Sequence, residues 1–517
     1  MRIATNVSAI VSNNALQKSQ DRLTKSIARL SSGYKINSSS DDAAGYAISE
    51  KMRLQLRGLN QADNNAADGV SVLHTAEGAM EEIQSMLARM KELSVQAANG
   101  TNSVDERSAI QSEIDSLNSE IDRISSNTEF NSQTLISGNL SRRVYSNYEG
   151  VNQIEVSDNF VAGNYGITIT QDARQAIVVG NGAVTMSDTA TVTKEQAGTI
   201  SMNGYGIEIS EGDTLAGIMG KLVDGADKIG GRVFAITAGA TNDTKVNGTD
   251  YAGYEPQTSY AGNNIVFMTK ESGSSKTMNI TCSNAELANM LGIATAATNS
   301  GMYAEGSDVQ AEFTLDNDGK RVGFADSAVI STSGTRVTVK DVNNRTFVTD
   351  VPSNVAGTQF SDTAKADDKS TATSTQTAKV TQEVTDVGTM SVHVGANENQ
   401  VILIDIPAVT SYTPGTEHLN VMTSVTASEA IDTIDTAVAY ANRVRSQMGA
   451  YENRFEHTTN NLGTASENLT SAISTMTDTD MAEEMTEYTS LNVMTQAATS
   501  ILAQANERPS TVLQILQ

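Results

Sequence analysis

The side chains of this sequence with the greatest capacity for chemistry are few and scattered. Its four histidines are His74, His393, His418 and His457. None sits in an H-E-x-x-H pattern, the spacing that brings two imidazoles to one zinc ion on a helix face. Neither a phosphate-cradling P-loop nor the G-x-S-x-G turn that exposes a nucleophilic serine occurs. Asp41-Asp42 offers adjacent carboxylates, which would suit a metal ion or acid–base work. Within the polar run Asn37 to Asp42 it reads better as a loop between helices. Cys282 is the single cysteine, so an intramolecular disulfide and a cysteine metal cluster are both excluded. It reads as an ordinary thiol, and His74, beside Leu73, as a packed or surface residue. No catalytic, cofactor-binding or metal-binding constellation is assembled, and the chain reads as a non-enzyme that needs no cofactor.

Composition points the same way. At 517 residues the chain has room for two to four domains. Its net charge of −26 repels nucleic acid and anionic lipid, so neither is expected as a partner. With 19 Met, no Trp and 4% aromatic residues, slender elements packed through Ala, Leu, Ile and Met are expected. The start, Met1-Arg2-Ile3-Ala4-Thr5-Asn6, lacks a cleavable apolar signal region. No apolar stretch reaches the roughly 20 residues of a membrane span, so membrane insertion is not expected. Export through a dedicated channel and residence in the cytoplasm both fit.

Proline and glycine divide the chain. The five prolines are 256, 352, 407, 414 and 509, which leaves residues 1–255 and 415–508 free of the strongest helix breaker. Ala9, Leu16, Leu23 and Leu30 repeat every seven residues, with Ile3, Val7, Ile10 and Ile27 between them, and Ser32-Gly33 ends the pattern. A second helix carries Met52, Leu59, Ala66, Leu73, Met80 and Leu87 at the same period. Leu56, Ala62, Val70, Ala76, Ile83, Met90 and Ala97 form its second seam. A repeat sustained over about 50 residues indicates coiled-coil packing. Asn99-Gly100 closes it, and Ser103-x-x-Glu106 is a capping box opening a third helix with Ile110, Ile114, Leu117, Ile121 and Ile124. The tail mirrors this arrangement. Thr426-x-x-Glu429 reads as a cap, and Ile434, Ala441, Met448, Phe455, Leu462, Leu469 and Met476 follow every seven. A last amphipathic segment uses Met481, Met485, Tyr488, Leu491, Ala498, Ile501, Leu502 and Ala505. Arg508-Pro509 is expected to interrupt it before Val512, Leu513, Ile515 and Leu516.

The middle, about 141–420, is rich in Gly, Thr, Ser, Asn, Asp and Val. Short apolar runs such as 265–268 and 401–406 stand between turn residues, as in small β domains. Asp213 to Leu222 and Asn284 to Leu291 read as short helices. Residues 361–384, poor in apolar side chains, read as a loop or linker.

The fold class expected is therefore mainly helical termini, packed as inner and outer layers, with an inserted β-rich region. Apolar stripes at both ends of a chain, where a monomer usually frays, call for a partner. A head-to-tail contact between copies that does not close generates a filament. A monomeric coiled coil bearing a β head is the alternative.

Several long motifs now carry a family likeness. Leu30-Ser31-Ser32-Gly33-Tyr34-Lys35-Ile36-Asn37, Asp41-Asp42-Ala43-Ala44-Gly45, Leu93 to Asn99 and Phe130-Asn131 resemble the N-terminal part of bacterial flagellin. Gly449-Ala450-x-x-Asn453-Arg454-Phe455-Glu456, Asp480-Met481-Ala482-x-Glu484 and Leu502-Ala503-Gln504-Ala505-Asn506-x-x-Pro509 resemble its C-terminal part. The likeness implies an inner terminal layer pairing 1–42 with 477–517. It implies a second helical layer of 43–140 with 385–476, including a small β element near 395–406, and a variable outer region of 141–384. Gly212 to Ile293 resembles a small module found in flagellins and filament-cap proteins.

The resemblance further implies a secreted, extracellular subunit of the flagellar filament that serves swimming motility. Such a chain is exported unfolded, folds at the filament tip, and meets itself, cap and hook-junction proteins, the export apparatus and a secretion chaperone. Filament contacts are expected at Ala9, Leu16, Leu23, Leu30, Tyr488, Leu491, Leu502, Val512, Leu513 and Leu516. The family is also a ligand of host toll-like receptor 5. The matching positions are Arg89, Leu93 and Glu113, with Lys91 and Gln96 in the same stretch; Ala88, Met90, Lys91 and Ser94 depart from the recognised type. Inflammasome receptors recognise the family tail, but Gln517 replaces its usual basic ending. A hook–filament junction protein and a secreted adhesin are the competing readings, and the adhesin would need a binding motif in 141–384 that the sequence does not display.

Overall fold

The computed structural model describes residues 6–157, 160–237, 259–293, 302–316, 318–342, 345–353, 355–356, 359–361, 371–374, 377–385 and 387–516, without the side chains of 359–361, 371–374 and 509–516. Ile3 and Gln517, singled out in the sequence, lie outside these residues, as do the side chains of Val512, Leu513, Ile515 and Leu516. The described residues contain helical termini and a β-rich middle, the fold class expected. They form two compact units. The first takes the described residues within 1–70, 392–402 and 453–517, the second those within 71–391 and 403–452.

In the first unit the chain begins with α1, Val7–Ser32, and ends with α7, Met481–Leu516. Gly33 terminates α1 in the left-handed conformation at φ 78°, which glycine adopts without a Cβ penalty. Two longer helices contribute one end each. They are α2, Ala43–Ala98, and α6, Ser424–Thr477. Asp42 starts α2 by accepting from the N–H groups of Ala44 and Gly45, both at 3.0 Å, while Asp41 accepts from Ser38 and Asn37. The acidic pair thus serves the loop and the helix start. Gly69 packs under the Phe455 ring, where an added Cβ would lie 2.9 Å from Cζ. A glycine inside a helix, unfavourable by propensity, is explained by that approach.

In the second unit Ser71–Ala98 of α2, the helix α3 at Val104–Asn127, and Ser424–Glu452 of α6 bury an apolar set. It includes Leu73, Met80, Ile83, Leu87, Met90, Ile114, Ile121, Ile434, Ala441 and Met448. The seven-residue repeat read in the sequence is this set. Ser103 and Glu106 form the expected reciprocal box at the start of α3. At α6 the expected cap is displaced. Thr423, not Thr426, accepts from the Thr426 N–H at 3.1 Å, and Thr426 Oγ1 accepts in return from the Thr423 N–H at 3.2 Å. A threonine at the third helical position does the work of the usual glutamate, so the helix opens one turn earlier.

Among the described residues the β region has two large cores, beside a smaller apolar cluster of Ile177, Val179, Phe234, Ile236, Val266 and Met268. One lies between two four-stranded antiparallel sheets. The first runs in the order 310–313, 163–171, 378–384, 144–146; the second in the order 329–333, 336–340, 346–350, 152–156. The scarce aromatic residues gather here. Phe160, Tyr165, Phe324 and Phe347 pack at centroid distances of 5.1–6.3 Å. The other core joins a sheet ordered 302–305, 277–282, 198–202, 205–209 and a sheet ordered 175–179, 263–272, 231–237 to α4, Leu215–Lys228, and α5, Ala285–Met290. Both short helices stand where the sequence predicts them, capped by Thr214 and Asn284.

Two expectations fail. Residues 361–384 are not simply a linker. Residues 359–361 pair with 371–374, and Ala378–Val384 is an interior strand of its sheet. Ala378, Val380, Gln382 and Val384 face the core and their neighbours face outward. The alternation is present in the sequence but submerged in a Thr-, Lys- and Asp-rich surround. The second is Pro509, which does not interrupt α7; the backbone stays helical to Leu516. Among the described residues, no helix is long and apolar enough to cross a membrane.

Candidate functional site

The terminal helices are built to pair. Antiparallel backbone bonds start them together. The Lys35 N–H donates to Thr477 O at 2.7 Å, and the Thr479 N–H to Gly33 O at 2.9 Å. Along the pair, Arg29 reaches Glu484 at 3.5 Å and Arg22 reaches Glu487 at 3.1 Å. Leu16, Ser26, Leu491 and Ala505 are buried. Of the residues expected to make filament contacts, Leu16 and Leu491 are therefore spent inside the chain. Ala9, Leu23, Leu30, Tyr488 and Leu502 are half-buried.

A different apolar set is left open. Val7, Ile10, Val11 and Ile27 are exposed on α1, and Met481, Met485, Val493, Met494 and Ile501 on α7. Val11 retains 62% of its surface and Val493 60%. Scattered apolar side chains on a surface need no explanation, but Val7, Ile10 and Val11 share one side of α1, and Val493, Met494 and Ile501 share one side of α7, the kind of grouping that an interaction surface shows. Burying such a side chain fully is worth about 1.5–3 kcal/mol. Val493 and Met494 lie outside the amphipathic pattern read in the sequence, which takes in both the buried Leu491 and Ala505 and the exposed Met481, Met485 and Ile501.

In the second unit the face around Arg89 is charged and exposed. Arg89 Nε and Nη2 donate to Glu113 Oε1 at 3.0 and 2.9 Å, and Nη1 donates to Glu92 Oε2 at 3.2 Å. Its hydrogen bonds to Glu113, then to Glu92, hold the guanidinium pKa above its ordinary value. Lys91 pairs with Asp435 of α6. Gln96 is exposed, and its carbonyl accepts from the Asn102 side chain. Arg107, which sequence reading missed, donates to Ala97 O and Asn99 O and so satisfies the end of α2. Leu93 is 2% exposed, facing the helical core rather than solvent. Arg89, Lys91, Gln96 and Glu113 therefore form the accessible part of this stretch, and Leu93 supports it from below.

The remaining candidates carry structural roles. His74 Nε2 lies 2.8 Å from Glu452 Oε1 on the surface. It belongs to a polar ladder between α2 and α6 that also includes Glu77 and Gln84 with Arg445. Cys282 is half-buried, and burial raises its thiol pKa. Among the described residues no group of three His, Cys, Asp or Glu is placed to hold a metal.

Helical termini that present uncovered apolar side chains, with a β region inserted between them, are the features of a structural subunit. Residues 3–141 match the bacterial flagellin N-terminal helical region, and residues 431–516 match its C-terminal helical region. The flagellin of Clostridium tyrobutyricum is 31% identical over 510 residues, covering 96% of this chain and 98% of its own. The flagellin of Salmonella typhimurium is 30% identical over 547 residues, covering 100% and 99%. Flagellin B of Vibrio anguillarum is 28% identical over 517 residues, also covering 100% and 99%. The chain belongs to the bacterial flagellin family, whose members are structural subunits of the flagellar filament, a surface appendage.

Proposed function

We propose that this chain is exported unfolded, is secreted, and polymerises at the filament tip by covering the exposed apolar rows of α1 and α7 with those of neighbouring copies, to serve swimming motility. Those rows are the observation that carries the reading. Isolated helices are marginal in water, so terminal segments that gain their packing from neighbours couple folding to assembly. Val7, Ile10, Val11, Met485, Val493 and Ile501 are the proposed contacts between copies; Leu16 and Leu491 hold the pair together within one. Cap and hook-junction proteins, the export apparatus and a secretion chaperone are the partners this route requires. We further propose recognition by toll-like receptor 5 through Arg89, Lys91, Gln96 and Glu113, supported by the exposure of that charged face.

Electron microscopy after salt-induced polymerisation, beside a chain lacking 1–35 and 481–517, tests the first proposal. Filaments from the full chain alone support it; filaments from the truncated chain refute it.

A further inference from the structure

Pro509 gives α7 one marked position. It is the sole proline of that helix. Having no N–H, it cannot donate to the carbonyl four residues earlier, that of Ala505. Ala505 is 6% exposed, so water has little access to the acceptor left free. A buried acceptor without a partner is costly.

The partner comes from the other end of the chain. Asn6 Nδ2 donates to Ala505 O at 2.8 Å. The same side chain caps α1, since Asn6 Oδ1 accepts from the Ala9 N–H at 3.2 Å and from the Ser8 hydroxyl at 2.8 Å. The cap orients the oxygen toward α1, which leaves the amide nitrogen to face α7. One side chain thus satisfies an orphan donor of one helix and an orphan acceptor of the other.

The contact also fits one register. From Arg29 back to Asn6 is 23 residues, and from Glu484 forward to Ala505 is 21. These near-equal steps describe an antiparallel pair held at one end by ion pairs and backbone bonds and at the other by Asn6. Around 505, the other carbonyls of α7 are served by N–H groups of their own helix. A slip of α7 against α1 would move Asn6 away from the one carbonyl that needs it.

We infer that Asn6 and Pro509 together form a register latch, in which the proline frees the Ala505 carbonyl and the Asn6 amide engages it, so that α1 and α7 meet in a single alignment. Asn6 is a positioning residue. The inference adds to the assembly proposal above by naming what aligns the helices whose outer rows assemble.

Asn6→Asp separates the two roles, because a carboxylate still accepts from Ala9 but cannot donate to Ala505. Amide hydrogen exchange of the full chain, free and polymerised, is the readout, with electron microscopy run in parallel. In whichever state protects the amides of 9–12 and 502–508, Asn6→Asp is expected to speed their exchange about five- to tenfold, the effect of one hydrogen bond of ordinary net strength. In a Pro509→Ala background, where residue 509 serves Ala505 itself, Asn6→Asp is expected to change exchange less than about twofold. The latch is overturned by unchanged exchange in Asn6→Asp, by an equal effect with alanine at 509, or by absence of protection in both states. A chain that shows the expected pattern yet forms no filaments supports the latch and counts against the assembly proposal.

Discussion

At the residue scale, burial separates side chains that the sequence groups together. Arg89 and Leu93 stand four apart on one helix, but Arg89 lies in an exposed charge cluster and Leu93 in the core. Arg89→Ala is expected to weaken toll-like receptor 5 binding about tenfold, the loss of one charge-assisted hydrogen bond, and to shift stability by no more than about 0.5 kcal/mol. Leu93→Ala is expected to cost about 2–5 kcal/mol of stability through the cavity it leaves. Surface binding and thermal unfolding, measured on both variants, check the pair.

Glu155 offers a pH test. Burial raises its pKa, and Arg443, donating to both carboxylate oxygens, only partly opposes this. A carboxyl whose folded pKa lies above its unfolded value contributes stability below the unfolded value, and that contribution is lost as pH rises through the folded one. The Glu155 contribution should therefore fall as pH climbs from just above 4, so that wild-type stability rises less, or falls more, with pH than that of Glu155→Gln. Thermal scans from pH 4 to 7 that show parallel slopes would refute it.

At the element scale, the helices are fixed by local signals that the sequence displays openly. Gly33 stops α1, Ser103 and Glu106 open α3, and long proline-free seams give α2 and α6 their length. Ser103→Ala removes half of a capping box and is expected to cost about 1 kcal/mol, read as faster amide exchange in the first turn of α3. Gly69→Ala gains helix propensity of about 1 kcal/mol but drives a methyl against the buried Phe455 ring, an overpacking cost of about 1–3 kcal/mol. The net expectation is destabilisation, and Phe455→Leu should relieve it; unfolding midpoints of the two single variants and the double variant decide. Elements whose pattern competes with composition were harder to read, as the Ala378–Val384 strand shows.

At the scale of the whole molecule, the β region 141–384 is an insertion whose ends lie side by side. The Arg143 N–H donates to Val387 O, and the Thr385 N–H to Arg143 O, both at 3.0 Å. The aromatic β core is closed within it, between Val144 and Val384. Excision of 141–384 therefore removes the paired strands 144–146 and 378–384 together and leaves both helical termini whole. The shortened chain is expected to polymerise still; loss of filaments with the helices intact by circular dichroism would assign assembly to the outer region instead.

The sequence by itself determined the helical termini, most of their starts and stops, the inserted β region and the family, because period, caps and breakers act over a few residues. Its heptad seams also marked the faces buried in α2 and α6. Only the tertiary structure decided which apolar side chains of the terminal helices the chain covers for itself. Leu16 and Leu491 are closed off while Val11 and Val493 stay open, and Leu93 is core while Arg89 is surface. It alone decided that α7 runs through Pro509, since the donor for Ala505 lies at the opposite end of the chain. Partners separated by hundreds of residues leave no trace in local periodicity, and burial is a property of the pair rather than of either strand of sequence.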